Sequence, residues 1–170
     1  EYDVLGRRIR EVLDPGAGRL NLETLYAYDA NDNLVSRTNA RGDTSYFAYD
    51  EAGRQVYAVD AAGAVTRTWH DEAGRVVAVR QYAQALTLTA ADRAALESGA
   101  SAVSHLAGRV VSDDAADRLD YRVLDQEGRV RFTLGTQRAG ADVVGRVQET
   151  RYDAAGRVAH QFAYGDTVTL

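Results

Sequence analysis

Tyr49-Asp50-Glu51-Ala52-Gly53-Arg54 is the stretch whose reading decides the fold, and Tyr152-Asp153-Ala154-Ala155-Gly156-Arg157 nearly repeats it. Each position suits a tight reverse turn between two strands. Tyr ends the incoming strand, Asp bonds its side chain back onto backbone amides two residues on, and small or polar residues fill the middle. Gly takes the positive-φ place that closes a hairpin loop, and Arg begins the outgoing strand.

The same unit recurs at Tyr2-Asp3-Val4-Leu5-Gly6-Arg7, at His70-Asp71-Glu72-Ala73-Gly74-Arg75 and at Leu124-Asp125-Gln126-Glu127-Gly128-Arg129. A weaker copy, Tyr28-Asp29-Ala30-Asn31-Asp32-Asn33, puts Asp32 in the glycine place, where Asp is among the side chains that best tolerate positive φ. Asp29, Asp50 and Asp71 stand 21 residues apart, whereas the intervals from Asp3 to Asp29, Asp71 to Asp125 and Asp125 to Asp153 are 26, 54 and 28. The flanking intervals therefore carry insertions. A second turn falls halfway through each central period, at Asn39-Ala40-Arg41-Gly42 and at Asp60-Ala61-Ala62-Gly63. Two strands and two turns per period, with six or seven residues between turns, spell a β-meander.

The strands follow in order. Residues 8–13 run to the turn Asp14-Pro15-Gly16, and residues 22–28 return, with Tyr26 and Tyr28 on one face. Residues 33–38, 43–49, 54–59, 64–70 and 75–82 are five more, rich in β-favouring residues. Phe47 and Tyr49 repeat the Tyr26 and Tyr28 pair one period on, as an aromatic ladder would require. Val76-Val77-Ala78-Val79 is apolar throughout, which points to a sheet covered on both sides or lining an enclosed space. Residues 83–117 interrupt the pattern. Within them 89–98 reads as a helix, capped by Thr89 with Asp92 at its third position and stopped at Gly99, and 100–108 as a second short helical turn. The interruption is too short for a core of its own, so it is expected to pack on a face or rim of a single domain spanning 1–170. Strands 118–124 and 129–134 resume the repeat, a loop is expected over 135–145, strands 146–152 and 157–164 flank the last turn, and 167–170 starts another.

With 45% hydrophobic and 26% charged residues the chain is ordinary for a globular protein, and it has no apolar run long enough to span a membrane as a helix. All 20 basic residues are Arg, set against 25 acidic ones for a net charge of −5. Acids cluster at turns with Arg behind them, a solvated pattern that argues against nucleic acid as a partner. Cysteine is absent, which excludes disulfides, thiolate metal sites and a Cys nucleophile. The chain begins inside a repeat with no signal peptide ahead, as expected of a piece of a longer array.

These units resemble the YD repeats of the RHS family, on the Tyr-Asp-x-x-Gly-Arg copies at 2–7, 49–54 and 152–157, the variants at 28–33, 70–75 and 124–129, and the half-turns at 39–42 and 60–63. The resemblance covers nearly all of the chain outside about 83–117. It implies an all-β, antiparallel hairpin-repeat ribbon, curved or spiralling, of the kind that forms the hollow shell of large secreted or surface proteins, bacterial toxins and teneurin-like proteins among them. It also implies a secreted or cell-surface location, and a partner in the remainder of the same parent chain.

Function is read from what the recurring residues leave over. Tyr2, Asp3, Gly6, Tyr28, Asp29, Tyr49, Asp50, Gly53, Asp60, Gly63, Asp71, Gly74, Asp125, Gly128, Tyr152, Asp153 and Gly156 are assigned to structural turns. Asp50, Asp71, Asp125 and Asp153 offer oxygen ligands of the type calcium takes, but one carboxylate per turn is explained by turn capping. Asp113, Asp114 and Asp117 form the densest acid cluster and read as a solvated linker. His70, His105 and His160 are widely spaced, and no HExxH, GxSxG or phosphate-binding glycine loop is present. The expectation is a non-enzymatic structural segment with no cofactor and no metal. Its alternative is a module that binds carbohydrate or a cell surface through exposed Tyr, Trp69 and Arg. Open sheet edges are expected to favour self-association.

Overall fold

Short strands separated by tight turns can satisfy their backbone groups most directly by pairing with the neighbours on either side. The computed structural model describes residues 1–99, 101–139, 142–164 and 168–169. It forms two compact units, Glu1–Val65 with Ala85–Val110, and Thr66–Gln84 with Val111–Leu170.

In the first unit, β1 (Arg10–Leu13), β2 (Leu22–Tyr28), β3 (Leu34–Thr38), β4 (Thr44–Tyr49) and β5 (Gln55–Val59) each pair antiparallel with the strand before. Two helices, α1 (Ala90–Ser98) and α2 (Ala102–Arg109), lie on this meander, α1 against β3 and β4, α2 against β4 and β5. The core forms beneath them. Tyr46 pairs with Val59 and Ala48 with Tyr57, so the four side chains share one face. All four are buried, together with Leu96 and Leu106 from the helices. In the second unit, β6 (Val65–His70), β7 (Val76–Gln81), β8 (Arg118–Leu124), β9 (Val130–Ala139), β10 (Asp142–Tyr152) and β11 (Val158–Ala163) also pair in chain order, and β12 (Val168–Thr169) pairs with β10. The fold is all-β, an antiparallel hairpin-repeat ribbon with a short helical insertion.

The loop expected over 135–145 is corrected to mostly strand, because β9 and β10 run on as a long hairpin to the pair Ala139 and Asp142. Glycine at 135 and 145 signals a breaker locally, but Gly135 faces Arg146 and Gly145 faces Thr136 inside a continuous ladder that supplies their hydrogen bonds. Residues 140 and 141 lie outside the described residues, as do Thr167 and Leu170 of the last expected strand. The face of the aromatic ladder is the shallower one: Tyr26, Tyr28, Phe47 and Tyr49 are half-buried, while Tyr46 and Tyr57 on the helix-covered face are buried.

The apolar run at 76–79 has a third explanation. Five of the six turns, all but the one at Asp3, carry a β-bulge beside them, with register shifts at Ala27/Tyr28, Ala48/Tyr49, Trp69/His70, Val123/Leu124 and Arg151/Tyr152. His70 pairs with Val76 and Trp69 with Ala78, leaving Val77 as the extra residue. Strict alternation is lost at such a point, so consecutive apolar residues need not mean a sheet covered on both sides.

Candidate functional site

The recurring residues converge on one device, the turn itself. At Asp50 the backbone amide donates to the Arg54 carbonyl and the Gly53 amide donates back to the Asp50 carbonyl, both at 2.9 Å. The carboxylate then works in two halves. Oδ1 accepts from the Ala52 amide at 3.0 Å and the Arg54 amide at 2.9 Å, and Oδ2 accepts from Arg54 Nε at 2.7 Å. Asp3, Asp71, Asp125 and Asp153 hold the Arg four residues on in the same way, through its amide and its Nε. At Asp3, Asp71 and Asp153 the amide of that Arg, with its guanidinium, holds the carboxyl below the usual carboxylate range. At Asp50 and Asp125 burial pushes the other way, and the Arg amide and guanidinium still prevail.

Variant turns keep the geometry and change the chemistry. Asp29 accepts from the Asn31 and Asn33 amides, with Asn33 Nδ2 standing in for the guanidinium at 3.0 Å, and Asp32 takes the positive φ of 65°. At the half-turn 39–43 the polarity reverses. Asn39 Oδ1 accepts the Arg41 and Asp43 amides while its Nδ2 donates to the Asp43 carboxylate at 3.1 Å. Asp60 keeps only the backbone half of the arrangement, since position 64 is Ala.

Arg in the sixth place of the unit begins the outgoing strand and has a second role that local turn chemistry does not signal. It reaches the next turn. The Arg7 guanidinium lies 4.9 Å from the Tyr28 ring centre, with Nη1 3.1 Å from the Asp29 carbonyl and 2.8 Å from Asp32 Oδ1. Arg129 repeats this against Tyr152 at 4.4 Å. At one junction glycine makes room for the approaching Arg: a Cβ at Gly128 would sit 2.7 Å from Arg75 Nη1, whereas one at Gly156 would meet Arg129 Nη1 at an ordinary 3.6 Å. The repeat Tyr also bonds backward, Tyr28 to the Arg8 carbonyl at 3.0 Å and Tyr152 to the Val130 carbonyl at 2.9 Å. Neighbouring turns are thereby stacked by cation–π contact and hydrogen bonds.

Three buried carboxylates, Asp92, Asp117 and Glu149, lie outside the repeat turns. Asp92 closes a capping box with Thr89, and its Oδ1 meets His105 Nε2 at 2.7 Å, which ties α1 to α2. The Thr89 amide and hydroxyl, His105 and Arg109 hold it down at about 2. Thr, Asp and His adjacent to one another suggest a nucleophile, but the Thr89 hydroxyl donates to Asp92 and not to the imidazole, and a carboxylate held at about 2 is too weak a base to activate it. Glu149 accepts from Arg151, Arg131 and the Tyr164 hydroxyl, and Arg151 and Tyr164 in particular hold it at about 2. Of the acid cluster, Asp117 is buried and caps the Ala83 and Asp113 amides, while Asp114 pairs with Arg80 in the open. His70 ends β6, and His160 stacks on Phe162 at 5.9 Å. Among the described residues no three His, Asp or Glu converge as metal ligands. No histidine lines the cleft of about 470 Å³ beside Tyr121 and Leu134 or that of about 350 Å³ beside Asp60 and Leu86. No described helix is long and apolar enough to cross a membrane.

The family model for the RHS repeat matches residues 2–44 and again 28–65, over the turns at Asp3, Asp29 and Asp50 and the half-turns at 39–42 and 60–63. Residues 2–65 are thus similar to the RHS repeat. No curated protein matches the chain. Two solved structures are similar over 96% and 99% of the chain at 13% identity and a TM-score of 0.23, the crystal structures of TcdB2-TccC3-TEV and of TcdB2-TccC3-Cdc42. The chain spans 11% and 12% of their lengths.

Proposed function

We propose that residues 1–170 are one structural, non-catalytic repeat domain, with 83–117 as an insertion, serving as a wall segment in the β-shell or stalk of a large secreted or surface bacterial RHS-type protein. The observation that supports this is the use made of the recurring polar groups. Each turn Asp is spent on its own turn, and Arg7 and Arg129 on the turn that follows. Chemistry of this kind builds a surface and leaves no reactive group aimed at a substrate. As a wall, the segment would shield whatever the parent chain encloses.

Limited proteolysis of the parent protein tests the reading. Replacing Asp50 and Asp71 together by Ala should open the wall and let protease reach the enclosed segment sooner. An unchanged digestion pattern, with the double variant still unfolding at a lower denaturant concentration, would overturn the role as a wall. A second reading, binding of cell-surface carbohydrate, is favoured by the exposed rings of Tyr121 and Tyr164. Calorimetric titration with oligosaccharides at millimolar concentration, showing no heat that Tyr121→Ala removes, would dismiss it.

A further inference from the structure

The cleft of about 470 Å³ lies wholly within the second compact unit and falls in the range of small-ligand sites. Strand register builds its floor. Leu119 and Tyr121 stand two residues apart on β8 and so share a face; Leu119 pairs with Arg80 of β7, and Tyr121 with Leu134 of β9. Tyr121 is 43% exposed there. Arg80 brings the charge. Its Nη2 pairs with Asp114, and its Nε lies 3.2 Å from Asp117 Oδ2, an ion pair rather than an aligned hydrogen bond. The Arg80 side chain is only 15% exposed, and its Nη1 has no partner among the described residues. Thr136, 8% exposed, supplies a second donor: its Oγ1 accepts the Leu119 amide at 2.9 Å, which leaves the hydroxyl proton to give. Asp114 is the acceptor, 87% exposed, with one carboxylate oxygen turned to Arg80 and the other open.

These groups select among ligands. The charged residues lining the cleft are one Arg and two Asp, so the lining is net negative and an anion is disfavoured. A cation would satisfy Asp114 but leave Arg80 Nη1 and the Thr136 hydroxyl without an acceptor. A neutral ring that carries hydroxyls satisfies all three. Its C–H face can lie on the Tyr121 ring, while its hydroxyls accept from Nη1 and Thr136 and donate to the open oxygen of Asp114. The Arg80–Asp114 pair holds a donor and an acceptor side by side, as two neighbouring hydroxyls require. We infer that this cleft is a binding site for a neutral pyranose ring of a glycan, stacked on Tyr121 and fixed by Arg80, Asp114 and Thr136. Asp117 is a positioning residue, since its carboxylate caps the Ala83 and Asp113 amides and steadies the guanidinium. The inference rests on the carbohydrate reading above and gives it a site; Tyr164, whose hydroxyl is held by Glu149, lies outside that site.

The probes are the methyl pyranosides of glucose, galactose and mannose, with methyl glucuronide as the charged control, titrated into the intact protein and followed by saturation-transfer NMR. At least one neutral pyranoside should bind saturably at millimolar concentration, and the glucuronide at least about fivefold more weakly. Asp114→Ala, an exposed change, and Thr136→Val should each weaken the neutral sugar by about fivefold or more, the scale of one hydrogen bond. Tyr164→Ala should leave it unchanged, and circular dichroism should show every variant folded. Sugar binding that Tyr121→Ala removes but Asp114→Ala and Thr136→Val leave intact would overturn the cleft and spare the carbohydrate reading. Glucuronide bound as tightly as the neutral sugars, or no saturable binding of any neutral pyranoside, would overturn the assignment too. The carbohydrate reading itself falls only on the oligosaccharide titration above.

Discussion

Asp50 and Asn39 sit at the head of their turns and do one job with different chemistry. Both accept two backbone amides through Oδ1, so the amide-capping half needs only a side-chain oxygen at that reach. Asp50 adds the ion pair with Arg54, which is partly exposed and worth less than about 1 kcal/mol. Asp50→Ala should therefore cost about 2 kcal/mol, from unmade amide bonds, and Asp50→Asn less than half of that, both read as urea midpoints at constant slope. Equal losses in the two variants would mean that the ion pair carries the turn. The amide capping was legible in the sequence because Asp followed by glycine three places later has that local meaning. The Arg was not, since turn chemistry says nothing of the fifth residue's side chain. A signal was present nonetheless: apart from Asp60 with Ala64, first and fifth places hold Asp and Arg, Asp and Asn, or Asn and Asp, a complementary pair.

At the scale of elements, the helix was readable end to end, Thr89, Asp92 and Gly99 all appearing as its caps. Its docking surface was not, because an Ala-rich stripe with one Leu packs on almost any flat apolar face. The structure sets Leu96 and Leu106, both fully buried, over β3 to β5. Leu96→Ala and Leu106→Ala should each cost about 2–5 kcal/mol in chemical denaturation, as buried leucines do when the cavity cannot collapse. A loss below about 1 kcal/mol in both would show the helices to be loosely seated. The bulges also have a signal in the sequence. Paired residues share a face, and around a turn of this length the partners differ by an even number, as Thr38 and Thr44 or Tyr49 and Gln55 do. With such turns, a period of 21 can return Ala27 and Ala48 to one face only if each period holds one irregular pairing. Ala27 with Ser36 and Ala48 with Tyr57 supply it.

For the whole molecule, acid is the condition that reaches several turns at once. Asp92 and Glu149 titrate at about 2 in the fold against ordinary values of 3.8 and 4.5, and the carboxyls of Asp3, Asp50, Asp71, Asp125 and Asp153 are lowered too. A depressed value means that the stabilisation is whole above the ordinary value and drains away as pH falls toward the folded one. Thermal midpoints should hold from pH 7 to about 5 and decline steeply from about 4.5 to 2. Glu149→Gln should lower the midpoint at pH 7 and flatten that decline; a parallel curve would remove Glu149 from the account. The bulge that recurs beside these turns has a further consequence, best seen as a reading frame. Val56, the surplus residue opposite Ala48 and Tyr49, can be deleted without turning Tyr57 or Val59 around, because the pairs on either side of it already match. Losing Ala58 instead sends Val59 to the wrong side unless the surplus slides to absorb the shift. Excision of Val56 should leave a folded protein by near-ultraviolet circular dichroism, while excision of Ala58 should cost far more stability. Such an array carries spare slack once per period, and can lose or gain a residue there without turning its neighbours inside out.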